Sequence, residues 1–270
     1  MRKQLISSIL LAITAVIAAN AQTAETQQTQ KGVRSGEFVS YNLYYNWQFV
    51  WIKAGSASMY TVKSNYRGQQ AYRTSLITRG SDRADQYFVM RDTLLCYYTL
   101  DNPNDSNDPL RPLYYRKGAR EGKRYYVDEV FYSYPSAKGV HVDLHQQTSK
   151  GAHEYRKKDF DHRVYDMLCM FQRARNFDPS GWQKGHTISF DMADGHKVET
   201  ARIKFRGRNN VKADNGKTYK CLKLSYLENE NGKWQEIVTF FVTDDQRHLP
   251  VRLDMNLRVG TAKAFLIDDK

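Results

Sequence analysis

From Val39 to Trp47 every second residue is large or apolar: Val39, Tyr41, Leu43, Tyr45 and Trp47, with polar Ser40, Asn42 and Asn46 between them. Phe38 and Tyr44 are the exceptions. A period of two sends successive side chains to opposite faces of a strand, and aromatic and β-branched residues suit that pleated surface. A second apolar run covers Gln48–Ala54, and the small-residue run Gly55-Ser56-Ala57-Ser58 follows. Small residues inside a strand let another backbone or a bulky side chain approach closely. Gly36–Met59 therefore reads as a hairpin or one long bent strand pair.

Similar segments fill the rest of the chain. Strands are predicted at Ala71–Thr78, Asp85–Arg91, Leu94–Leu100, Pro112–Arg116, Arg124–Tyr132, Val140–His145 and Thr187–Met192. Others follow at Lys197–Phe205, Thr218–Tyr226, Trp234–Val242, Pro250–Leu257 and Thr261–Ile267. Turn signals at Arg67-Gly68, Asp194-Gly195, Asn215-Gly216 and Asn231-Gly232 separate several of them. Asp-Gly and Asn-Gly between strand-like runs favour hairpins, so the chain reads as a long antiparallel meander with nothing of βαβ type. One stretch differs. Val164, Met167, Leu168, Phe171 and Ala174 recur at the spacing of one helical face. Asp161 can cap that helix, Arg173 and Arg175 suit its C-terminal dipole, and Asp178-Pro179 stops it.

The chain opens MRKQLISSILLAITAVIAANAQ. Arg2 and Lys3 precede an uncharged apolar run, and Ala19-Asn20-Ala21 is a small-x-small cleavage site. This is the pattern of a secretory signal peptide cleaved after Ala21, and the expectation is a soluble periplasmic or secreted protein. Residues 22–35 are Gln- and Thr-rich and read as a flexible leader. Residues 36–270 read as a single β domain. Cys96, Cys169 and Cys221 are far apart in sequence and show no CxxC or Cys/His metal spacing. They read as buried thiols, with at most one internal disulfide. Lys and Arg number 41 against 29 Asp and Glu. Such a balance attracts anions. For an exported protein that means anionic headgroups or acidic glycans, and no nucleic-acid partner is expected.

The segments VYDMLCMFQRAR, GHTISFDMADGH, KTYKCLKL and FFVTDDQRHLPVRLDMNLRVGTAKAFL, in that order, resemble the DUF3108 family. The opening GEFVSYNLYYNWQFVWIKAGSASM is similar to that family's start: Gly-Glu, an aromatic strand, then Ala-Gly-x-Ala. The resemblance covers about Gly36 to Leu266 and is weakest over Pro103–Asp159, which reads as an insertion. It implies an exported bacterial β protein and brings no catalytic residues. The expected fold is all-β and mainly antiparallel: a curved sheet or partly open β-barrel with one amphipathic helix packed on it.

Catalytic and metal patterns are poor. Asp101–Asp108 lacks the glycine and spacing of a calcium loop. His141 and His145 share a strand face four rises of ~3.3 Å apart, long for one metal. There is no GxSxG, SxxK, GxGxxG or Walker loop, and Asp244-Asp245 reads as a turn. A transmembrane barrel is not expected either, because charges fall mid-strand in Lys197–Phe205 and Arg252–Arg258. No enzyme activity, cofactor or metal is expected. What remains is the aromatic excess, often in adjacent pairs that must face opposite sides of a sheet. The expected function is noncatalytic binding or carriage of a lipid, amphiphile or glycan of the cell envelope in an aromatic concavity. Its candidate residues are Tyr45, Trp47, Trp51 and Tyr98, with Arg116 and Lys117 offered to an anionic group. The alternative is a structural or assembly factor that binds an envelope protein by an exposed sheet edge. A cell-wall or glycan hydrolase ranks below both.

Overall fold

The computed structural model describes residues 32–47, 50–101, 109–135, 139–257 and 260–270. The signal-peptide reading, most of the leader, residues 102–108 of the Asp/Asn-rich loop and the side chain of Trp47 lie outside the described residues. In chain order the elements are β1 (Glu37–Trp47), β2 (Val50–Tyr66), β3 (Gln69–Gly80), the single-turn helix α1 (Asp82–Asp85), β4 (Met90–Leu100), β5 (Leu110–Glu121) and β6 (Arg124–Ser133). Then come β7 (Val140–Gln147), β8 (His153–Phe160), β9 (Val164–Tyr165), helix α2 (Met167–Ala174), β10 (Thr187–Ala193) and β11 (Val198–Lys212). The chain finishes with β12 (Thr218–Glu230), β13 (Lys233–Thr243), β14 (Pro250–Asn256) and β15 (Thr261–Asp269).

All the strands form one sheet, in the order β8-β7-β6-β5-β4-β3-β2-β1-β15-β14-β13-β12-β11-β10-β9. Every pairing is antiparallel except β9 with β10. Two meanders thus run from opposite sides toward β1 and β15, whose pairing joins them. The sheet curls into a nearly closed barrel, and its one unsealed seam lies between β8 and β9. The described residues of the 103–159 stretch, in β5 to β8, continue the meander without a change of topology. The turns are as the dipeptides require. Arg67-Gly68 and Asn231-Gly232 have φ values of 52° and 85°, and 52° and 82°, the left-handed pair of a tight hairpin turn. Asn65 and Asn229 side chains accept from the Gly68 and Gly232 amides.

Three differences from the sequence reading have local causes. Of Asp85–Arg91 only Met90 and Arg91 are strand, the start of β4: Ser81 accepts from the Ala84 amide and caps α1, and Tyr87 and Phe88 after it are exposed. β8, HEYRKKDF, is a strand with no alternation to read, because it is the sheet edge and nearly every residue is exposed. The cap of α2 is Asp166, not Asp161, through Oδ1 accepting from the Cys169 amide at 2.9 Å. Val164 belongs to β9 and Met167 is exposed, whereas Leu168, Cys169, Met170, Gln172 and Arg173 are buried. The helix is covered on most of its circumference, because it packs inside the curl against β4, β5 and β10. The packed body begins at Gly32, ahead of the Gly36 boundary, with Val33 in the core.

The turn joining β10 to β11 reaches across the seam. A Cβ on Gly195 would stand 2.5 Å from Asp128 Cα in β6 and 2.5 Å from the His145 carbonyl in β7. His196 lies 3.5 Å from Glu154 of β8. Only glycine permits that approach. Gly195→Ala is expected to cost about 1–3 kcal/mol by overpacking, read as a lower urea midpoint. Gly181→Ala, with nothing within 4 Å of the new Cβ, is the control expected to change little.

Candidate functional site

The antiparallel register aligns side chains across β3, β4, β5 and β6 in rows on the outer face. One row is Arg79–Arg91–Arg120–Tyr125, each directly opposite the next. The next row runs Ile77–Thr93–Gly118, and the third carries Arg116 opposite Glu129. Gly118 has no side chain to fill the space between the rows. Arg91, Thr93, Arg116, Gly118, Arg120 and Tyr125 therefore line an open cleft of about 560 Å³. Like charges directly opposite on neighbouring strands oppose pairing by roughly 0.2–1 kcal/mol, so packing alone does not account for this row. Arg91 is matched by Asp85 of α1, which raises the guanidinium's pKa and lowers the carboxyl's. Arg116 stands 3.9 Å from Glu129. Arg79 and Arg120 make no ion pair among the described residues.

Apolar surface adjoins this charge. Tyr125 is 48% exposed, Phe88 53% and Tyr87 87%. The Phe88 ring lies against Gly122, in the turn just beyond Arg120. The Gly122 amide donates to the Val89 carbonyl at 2.7 Å, fixing that turn beside the α1–β4 loop. The site thus combines guanidinium groups, a phenol and exposed aromatic rings on one surface.

Beside the cleft a second polar chain crosses the same face. Tyr114 and His145 Nδ1 both contact the Glu129 carboxylate, at 2.5 and 2.8 Å, and His145 Nε2 lies 2.9 Å from His153 Nδ1. Further along, Tyr66, Tyr97, Tyr114 and Phe131 form a cluster of stacked and tilted rings with centroids 5.0 to 6.4 Å apart. Tyr97–Tyr114 and Tyr114–Phe131 are ordinary cross-strand pairs, and Tyr66, at the end of β2, closes over them.

Of the six residues singled out in sequence, the five whose side chains are described do not converge. Arg116 is in the cleft. Its neighbour Lys117 faces inward, donating to Tyr126 at 3.0 Å, while the Tyr126 hydroxyl donates to Glu121 at 2.8 Å. Burial pulls the Lys117 ammonium down, but these partners outweigh it and the net shift is upward. Tyr98 is a correction: it is fully buried, its hydroxyl 3.1 Å from Thr74, and burial pushes the phenol well above its usual range. It cannot line a surface concavity. Trp51, 47% exposed, and Tyr45 lie at the far end of the β1–β2 hairpin, where Lys263 sits 4.7 Å over the Trp51 ring. The barrel interior, the natural place for an aromatic concavity, is instead packed with α2 and the side chains around it. Arg79, Arg91 and Arg120 were missed, because a charged row appears only once the register of three strands is known.

Comparison with known proteins agrees with the fold. The solved structure of a β-barrel-like protein of the domain of unknown function DUF1849 from Brucella abortus superposes with a TM-score of 0.50 at 11% identity, covering 88% of this chain and 98% of that one. No curated protein matches the sequence. The model of the family described as protein of unknown function (DUF3108) matches residues 40–267. That span takes in both meanders and the inner helix, and the chain belongs to the DUF3108 family.

Proposed function

We propose that this protein is an exported, noncatalytic binding or carrier protein for an anionic amphiphile or glycan of the cell envelope. The ligand's phosphate or carboxylate sits in the arginine cleft, and its apolar or sugar body lies against Tyr125, Phe88 and Tyr87. One observation carries this reading: Arg91, Arg116 and Arg120, brought together by the strand register, line the cleft around Gly118. A bound anion converts the row's repulsion into charge-assisted hydrogen bonds, each about 1.5–3 kcal/mol. The concavity is on the outer face rather than in the barrel. Export rests on the signal-peptide pattern of the first 21 residues. No helix among the described residues is long and apolar enough to cross a membrane.

The test is titration with short-chain phosphatidylglycerol, below its micelle concentration, against phosphatidylcholine of the same chain length. Saturable binding of the first, at least 10-fold tighter than the second, is expected. Equal affinities would remove the arginine cleft from the account.

A second reading has one observation in its favour. β8 is a sheet edge with an exposed face on both sides, and an edge can accept a strand from a partner. Its basic residues Arg156, Lys157 and Lys158 are also what proteins use to blunt an edge. Recovery of a stoichiometric envelope protein after cross-linking, lost on placing a proline in β8, would favour this reading.

A further inference from the structure

We infer that Cys96, Cys169 and Asp166 form a binding site for one thiophilic divalent cation, of the Zn²⁺ class, inside the barrel. The three residues come from two elements. Cys96 points inward from the middle of β4, opposite Thr74 and Tyr115. Asp166 is the N-cap of α2, and Cys169 lies one turn along the same side of that helix. The two sulfurs and a carboxylate oxygen all lie within 4.8 Å of one another, and each residue is 0% exposed. Tetrahedral zinc with bonds of about 2.3 Å to sulfur holds two thiolates about 3.8 Å apart, which this spacing accommodates.

A second observation points into the same space. Asp166 Oδ1 is used by the cap, and Oδ2 is buried with no N–H or O–H donor among the described residues; the side-chain donor beside the carboxylate is the Cys169 thiol, a weak one. A buried carboxylate served by no stronger donor than a thiol is costly, and a cation that takes the place of the thiol proton is a better partner. The neighbouring Tyr132 hydroxyl is also buried and without a hydrogen bond. The sulfurs are not joined to one another. A disulfide would leave the Asp166 oxygen as it is.

The protonation chemistry is consistent with a site closed by metal. Without a cation the thiols keep their protons. Binding M²⁺ forms two sulfur–metal bonds and one oxygen–metal bond and releases the two thiol protons to solvent, so affinity rises with pH. The ion would fasten α2 to the barrel wall, a structural rather than a catalytic role. This inference is independent of the arginine cleft.

The test uses the full chain, unfolded and refolded with a thiol-free reductant in the presence of Zn²⁺ or Co²⁺, then gel-filtered. The expected result is one ion per chain by elemental analysis, thiolate-to-cobalt charge-transfer absorption, and a higher melting temperature than the chain refolded with chelator. Cys96→Ala and Cys169→Ala should each weaken binding at least 100-fold, and Asp166→Asn, which keeps the helix cap, at least 10-fold. Cys221→Ala, in the separate core near Val211 and Phe241, should bind as the parent does. Refolded chain with native circular dichroism and no bound ion would overturn the inference. So would metal retained by Asp166→Asn and the cysteine variants alike, or a Cys96–Cys169 disulfide in protein isolated from its cell envelope.

Discussion

Arg175→Ala is expected to destabilise the fold by about 3–5 kcal/mol, the usual cost of leaving one half of a buried ion pair unpaired. Arg175 follows α2 and is 1% exposed, and Glu37 at the start of β1 is 5% exposed. Their contact is bidentate, at 2.6 and 2.8 Å. The guanidinium also donates to the Arg247 and His248 carbonyls and to the Gln172 side chain. Gln172 in turn reaches Thr61 and Thr74, and Thr74 meets the Tyr98 hydroxyl. One buried polar line therefore ties β1, the β13–β14 connection, the inner helix, β2, β3 and β4 together. Removing Arg175 leaves the Glu37 carboxylate only the longer contact to Arg247, at 3.7 Å, and strands several acceptors at once. With total stabilities of about 5–15 kcal/mol for such domains, the variant should be marginal at 37 °C. Urea unfolding of Arg175→Ala, Glu37→Gln and the double variant measures this. The double should cost clearly less than the sum of the singles, because the second change no longer strands a charge. Additive costs would mean that the pair is not coupled.

Arg116→Gln with Arg120→Gln is expected to lower affinity for phosphatidylglycerol about 100-fold or more, as two charge-assisted contacts of about 1.5–3 kcal/mol disappear. The same variant should be as stable as the parent to within about 1 kcal/mol, since the Arg116–Glu129 contact at 3.9 Å is a partly exposed one worth about 0–1 kcal/mol. Arg120 is exposed and directly opposite Arg91, and relieving that repulsion is worth a few tenths of a kcal/mol. Loss of binding with unchanged or raised stability is what separates a functional cleft from a structural one. If the midpoint falls as far as the affinity does, the arginines are part of the fold and not of a site.

The fold was largely legible because a period of two survives wherever one face is buried. Val39, Tyr41 and Leu43 alternate with polar neighbours because only their face meets the core. β8 has no buried face and left no pattern. Adjacent tyrosines did divide between faces: Tyr97 stacks outside while Tyr98 is buried, and Tyr125 is exposed while Tyr126 bonds Lys117. Which member faced solvent was not legible, because residues of both parities from Leu94 to Tyr98 are apolar or aromatic, and only the fold shows that β4 buries Leu94, Cys96 and Tyr98. The same limit sent Lys117 inward and left Arg116 outside. The arginine row and the Cys96–Cys169–Asp166 group are assembled by register and by the inner position of α2. Spacing along the chain carries no trace of either.

The most direct test of the binding account is native mass spectrometry of the protein isolated from its own cells without detergent, followed by organic extraction. The account predicts a stoichiometric anionic lipid or glycan on the parent chain and its absence from Arg116→Gln/Arg120→Gln. A folded parent chain that carries no small molecule, or an equal load on both proteins, would contradict it.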